Sequence, residues 1–156
     1  HLLTESVLTR TPNLTPIFNE IRRLLTSDGK LLNSELIIAD GCSLPTEVSR
    51  FTDLVMGEDS LRTIDGWRQI IDANGFDVLE HREEPNVMRR NGVKMQRALM
   101  VFGMLRRSGG FNLAEFGLGD FENDFEELAR AGLLAMADGT LSYASFISEV
   151  SLLSVD

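Results

Sequence analysis

The sequence predicts an α/β fold whose sheet is mostly parallel, and three of its features lead there. Residues 30–40, KLLNSELIIAD, crowd Leu and Ile into a short stretch, as in a strand buried in a parallel sheet. A helix-patterned segment and an Asp28–Gly29 turn come directly before it, which is the order of the second half of a βαβ unit. Further on, a second helix-patterned segment closes at Asn74–Gly75 and residues 76–83 alternate as a strand. With 156 residues the chain is long enough for one domain with a core of its own.

In chain order, residues 1–5 (HLLTE) read as the end of a strand that runs into a Thr/Pro/Asn-rich loop. Thr15 is the expected N-cap of the next helix and Pro16 its first residue, where a missing N–H costs nothing. Ile17, Ile21, Leu24 and Leu25 form its expected inward face, and Gly29 is expected to close it at positive φ. After the buried strand, Gly41, Ser43 and Pro45 break the pattern. Helices are then expected over residues 46–56 and from Thr63 to Asn74, the second with Trp67, Ile70 and Ile71 inward. Residues 85–108 read as one long helix with Met95, Leu99, Phe102, Met104 and Leu105 as a broad apolar side. A Gly-rich connector, residues 111–119, leads to a last helix. Asp120 is its expected cap, and Phe121, Phe125, Leu128, Leu133 and Leu134 line one side. Asp138–Gly139 is a turn, and residues 141–153 end the chain as a period-two strand.

The formal net charge of −9 argues against a broad grip on nucleic acid, which needs Lys and Arg in excess. The bases crowded between Arg82 and Arg107 read as a solvated helix face. One cysteine, Cys42, permits no disulfide within the chain, and the two histidines, His1 and His81, show no metal-ligand spacing. A reducing, cytoplasmic setting without a metal is the expectation. No apolar run approaches the roughly 20 residues of a bilayer span, and no signal peptide is visible. The opening His1 fits either a chain that begins mid-protein or the remnant of a tag.

Residues 5–37 resemble the stretch after the fourth strand of class I, Rossmann-like S-adenosylmethionine-dependent methyltransferases. Glu20–Ile21–Arg22–Arg23–Leu24–Leu25 stands where the family's helix ends, Asp28–Gly29 where its turn lies, and Leu31–Leu32 where its fifth strand begins. Residues 60–83 are similar to the family's next helix and sixth strand, through Trp67, Ile70, Ile71, Ala73, Gly75 and Phe76. The resemblance implies the C-terminal half of a Rossmann-like methyltransferase sheet, strands four to seven. It places a methyltransferase-like α/β half at residues 1–84, a helical insertion at 85–139 between the last two strands, and a terminal strand at 140–153. It also implies S-adenosylmethionine as the cofactor of the intact protein. In that fold the cofactor sits on a Gly-rich loop after the first strand and an acid after the second. Nothing resembling either precedes Glu5, so no cofactor is expected for this chain alone. Gly117–Leu118–Gly119 follows a helix-rich stretch and reads as a connector.

Glu5 and Ser6, with Thr4, would lie at the C-terminal end of the fourth strand, outside which open α/β sheets bind ligands. They read either as cofactor or acceptor contacts or as a loop that caps the next helix. Glu35, beside Asn33 in the fifth strand, reads as a sheet-end position in contact with water, because polar side chains inside a strand are costly unless paired. Its alternative role is an acceptor contact. His81 reads as a surface histidine, with a general base as the alternative. Tyr143 reads as packing, with an acceptor-orienting role as the alternative. Met95, Met100 and Met104 read as core filler rather than an acceptor pocket, and Cys42 as a nucleophile has no base beyond His81. Candidate cofactor contacts are therefore Glu5 and Ser6, candidate substrate contacts Glu35, His81 and Tyr143, and no catalytic residue is assigned.

Two functions follow. One is the substrate-side half of a methyltransferase for a small acceptor, inactive until a missing N-terminal half completes it. The other is a non-catalytic interaction module that forms a homodimer through the exposed fourth strand or an exchanged helix. Neither nucleic acid nor a membrane is an expected partner.

Overall fold

The computed structural model describes residues 1–110 and 112–152. Four strands and five helices follow as β1 (Leu2–Glu5), α1 (Leu14–Leu24), β2 (Lys30–Ile38), α2 (Thr46–Met56), α3 (Ile64–Ala73), β3 (Phe76–Glu83), α4 (Pro85–Arg107), α5 (Phe125–Asp138) and β4 (Leu141–Val150) among the described residues. Short 3-10 turns cover Leu8–Arg10, Leu113–Phe116 and Gly119–Phe121. Residue 111 of the expected connector and residue 153 of the expected last strand lie outside the described residues.

The sheet order is β1-β2-β4-β3. β1 and β2 are parallel, with Glu5 opposite Ser34. β4 runs antiparallel between β2 and β3, with Tyr143 opposite Leu36 and Phe146 opposite His81. The first three strands therefore point one way and end along one edge, where β4 begins. β2 is an inner strand, as the sequence predicts, and α4 and α5 are inserted between β3 and β4.

The pleat sorts β2 into two faces. Leu31, Asn33, Glu35 and Ile37 are buried, and the residues between them are half-buried. The buried face, continued by Ala144 and Phe146, packs on Leu14, Phe18 and Ile21 of α1 and on Trp67 and Ile71 of α3. The other face is covered near one end only, where Met88, Ala135 and Leu141 meet Leu36 and Leu61. β2 is thus buried on one face rather than two.

Several local expectations are corrected. α1 begins at Leu14 after Asn13, so Thr15 is not its cap and Pro16 is its third residue, still within the first turn, where a missing N–H costs nothing. Its buried stripe is Leu14, Phe18 and Ile21, while Ile17 and Leu24 are exposed. Starting the helix two residues earlier selects the i, i+4, i+7 set that begins at Leu14. Gly29 does not take positive φ; a Cβ there would stand 2.9 Å from the Thr26 carbonyl oxygen, so the position is small for lack of space. In α4 only Met88 and Gly92 are buried, and Met95, Met100 and Met104 face solvent instead of filling a core. α5 is preceded by Asp124, with Asp120 in the turn before it, and Leu134 is exposed.

Other elements stand as expected. α2 covers Thr46–Met56. Thr63 caps α3 by accepting a bond from Gly66 N at 3.1 Å, and Gly75, at φ +77°, leads into β3. β3 is an edge strand, mostly exposed and bulged between Val78 and Glu80, which blunts the edge. None of the described helices is long and apolar enough to cross a membrane.

Candidate functional site

The parallel strands end where β4 begins, and the polar side chains gather there. Ser6 extends the ladder one residue past β1 by donating its N–H to Ser34 O at 2.8 Å. Its φ is +52°, a left-handed conformation rare in residues other than Gly, and it turns the chain out of the sheet. The Ser6 hydroxyl then lies 2.5 Å from the Tyr143 hydroxyl. Tyr143 stands on the half-buried face of the sheet, as Glu5 does by the same alternation. Burial pushes the Tyr143 phenol above its ordinary pKa; the Ser6 bond opposes the rise, and the carboxylates of Glu5 and Glu35 add to it.

Glu35 stands on the opposite, buried face. Its Oε2 accepts bonds from Thr9 N at 3.0 Å and from Thr9 Oγ1 at 2.5 Å, which fastens the 3-10 turn Leu8–Arg10 to β2. Burial raises its pKa, and the Thr9 hydroxyl and N–H work against that rise. Glu35 Oε1 and both polar atoms of the Asn33 amide are buried without a partner among the described residues. The expectation of a water-contacting Glu35 is therefore wrong. Period two puts residues 31, 33, 35 and 37 on one face, so the two polar residues share the core side with Leu31 and Ile37.

The structure joins Ser6 to Tyr143 and sets Glu5 near them, with Glu35 acting from behind through Thr9. It does not bring in His81, which is exposed on β3 with its ring 6.4 Å from that of Phe146, on the face opposite Tyr143. Cys42 is exposed. Gly117–Leu118–Gly119 lies between two 3-10 turns and not after a strand.

Sequence reasoning missed Thr9 and Arg62. Arg62 pairs with Ile37 in an isolated parallel bridge, donates from Nη1 to Ser60 O at 2.9 Å, and lies 5.2 Å from the Trp67 ring centroid. Burial lowers its pKa, while Asp59 and Glu35 raise it. A lone Arg or Thr in a loop carries no periodic signal, so neither residue is marked in the sequence.

Chemically, the edge offers two hydroxyls and an exposed carboxylate, groups that orient a polar acceptor or lie against a cation. Among the described residues no Gly-rich turn leads from a strand into a helix. No three His, Cys, Asp or Glu side chains converge on a metal-sized site among the described residues.

No family model and no curated protein sequence matches the chain. Solved structures do. A candidate sarcosine dimethylglycine methyltransferase from Galdieria sulphuraria superposes with a TM-score of 0.64 at 15% identity, over 96% of this chain and 52% of that one. The chain has the fold of the class I S-adenosylmethionine-dependent methyltransferases. The phosphoethanolamine N-methyltransferase 2 of Haemonchus contortus, in complex with S-adenosylmethionine, matches at TM-score 0.60 and 16% identity, over 96% of this chain and 32% of its own. The [4+2]-cyclase SpnF matches at TM-score 0.62 and 15% identity, over 96% and 48%. The chain thus spans about half the length of these proteins or less. A cyclase on the same methyltransferase-like fold means that fold alone does not fix the reaction.

Proposed function

We propose that this chain is the acceptor-side half of an S-adenosylmethionine-dependent methyltransferase for a small acceptor. The observation that carries the proposal is the Ser6–Tyr143 pair, 2.5 Å apart at the C-terminal end of β1. Ligands of open α/β sheets bind outside those strand ends. In this reading Glu5 and Ser6 face the cofactor's sulfonium, and Tyr143 orients the acceptor. Glu35 is a positioning residue that holds the turn behind Ser6. The ribose and amino-acid ends belong to the half of the fold that the structural relatives have in addition. When bound, the cofactor supplies an electrophilic methyl group; the residues here align the acceptor for in-line attack. The cytoplasm is the proposed compartment.

The test is to express the longest reading frame that contains this chain and titrate S-adenosylmethionine by calorimetry. The expected result is saturable binding that the 156-residue chain alone does not show. A full-length product that binds no S-adenosylmethionine overturns the proposal. A second reading, a self-associating module, is favoured by β1, which pairs only with β2 among the described residues and carries Leu3 at 74% exposure. Light scattering of the chain decides it: a dimer supports this reading and a monomer refutes it.

A further inference from the structure

α4 and α5 run antiparallel: Gly92 faces Met136 near the end of α5, and the Arg106 guanidinium lies 5.6 Å from the Phe125 ring centroid at its start. Between them lies an open groove of about 770 Å³. Gly92, Gly103, Ala129 and Ala137 line it with little or no side chain, which is why the space exists. Val93, Leu99, Met100, Leu133 and Leu134 make it apolar. A second, wholly apolar pocket of about 190 Å³ adjoins it, since Leu99 and Phe125 line both.

Charge distinguishes the mouth of this groove. The chain carries a net charge of −9, yet α4 holds Arg89, Arg90, Lys94, Arg97, Arg106 and Arg107 and no acid. Arg89, Arg107 and Arg130 line the groove, all three exposed, against one acid, Glu126. None of the three forms an ion pair with a described residue.

We propose that the α4–α5 groove binds a free amphiphile, a single apolar chain ending in an anionic group such as a carboxylate or phosphate. The volume falls within the range of small-ligand pockets, and the apolar lining suits a hydrocarbon chain, with the adjoining pocket to take its far end. These guanidiniums, in no ion pair with a described residue, suit the head, because charge-assisted bonds from Arg to an oxyanion are the strong ones. The groove is concave between two helices, which fits one inserted chain; a bilayer surface needs a projecting apolar face. This site is separate from the sheet edge and requires neither cofactor nor turnover.

The test is fluorescence titration of the chain with 11-(dansylamino)undecanoate, followed by competition with decanoate and with decanol below their aggregation limits. Binding is expected to blue-shift the dansyl emission, and decanoate is expected to displace the dye at least about tenfold better than decanol. Ala129→Leu, which fills the groove, should abolish the shift. Arg89→Ala with Arg130→Ala, both at exposed positions, should bring decanoate down to decanol while circular dichroism stays unchanged. No emission shift, equal displacement by decanol and decanoate, or a shift that survives Ala129→Leu overturns the proposal. Dye binding accompanied by dimerisation in light scattering also overturns it, since a second copy would then be the occupant.

Discussion

Replacing Thr9 by Val is the sharpest probe of how the sheet edge is held. Val keeps the shape of Thr and the backbone N–H, and removes only the hydroxyl that stands 2.5 Å from Glu35 Oε2. A hydrogen bond to a charged partner contributes about 1.5–3 kcal/mol, and one between neutral partners about 0.5–1.5 kcal/mol. Which value applies depends on the charge of Glu35, whose pKa burial raises in the folded state. Below the ordinary carboxylate pKa, near 4.3, Glu35 is protonated in both states. As pH rises through the raised folded value, the carboxyl ionises in the folded chain and the stability that proton uptake supplied is lost. The Thr9 hydroxyl then donates to a buried anion. Thr9→Val should therefore cost about 0.5–1.5 kcal/mol at acid pH and about 1.5–3 kcal/mol once Glu35 is charged. Urea unfolding followed by the emission of Trp67, the single tryptophan and fully buried, measures both. In a Glu35→Gln background the Thr9→Val cost should stay at the smaller value at every pH. A cost independent of pH, or equal in the two backgrounds, refutes the reasoning.

Three further outcomes are expected. Gly132, inside α5 with open space where a Cβ would go, should gain about 0.5–1 kcal/mol from Gly132→Ala in thermal unfolding. Gly29→Ala should lose about 1–3 kcal/mol, because its Cβ would stand 2.9 Å from a backbone oxygen that cannot step aside. Tyr143, the only tyrosine, should titrate above its ordinary pKa when phenolate absorbance is followed. Ser6→Ala should raise that midpoint further by removing the opposing bond; a midpoint unmoved by Ser6→Ala argues against the Ser6–Tyr143 contact.

Elements set by local pattern were legible in the sequence. The Thr63 cap, the Gly75 turn and the crowded apolar run of β2 each mark their place through chemistry within a few residues. What was not legible depended on partners distant in the chain. Thr9 and Glu35 are 26 residues apart and Ser6 and Tyr143 are 137 apart, and neither pair has a spacing that a sequence reveals. The apolar side of α4 reads as core because Met, Phe and Leu usually turn inward. α5 runs alongside α4 to its end and the start of β4 meets its beginning, but Met95, Met100, Met104 and Leu105 on the rest of its surface stay exposed.

The buried polar residues of β2 follow from how little else holds β1. That strand is four residues long and pairs with one neighbour among the described residues, so its C-terminal end has few ladder bonds to resist fraying. Two side-chain bonds act just beyond it, from opposite faces of the sheet. Glu35 fastens the turn at Thr9 from the core side, and Tyr143 meets Ser6 from the half-buried side. Burying Glu35 costs free energy, and Thr9 offsets only part of it, since Oε1 remains without a partner among the described residues. A Leu at this position would pack as well and would let the turn go. The carboxylate is thus explained by what it holds: a left-handed Ser6 at the strand end where three strands and the start of a fourth converge.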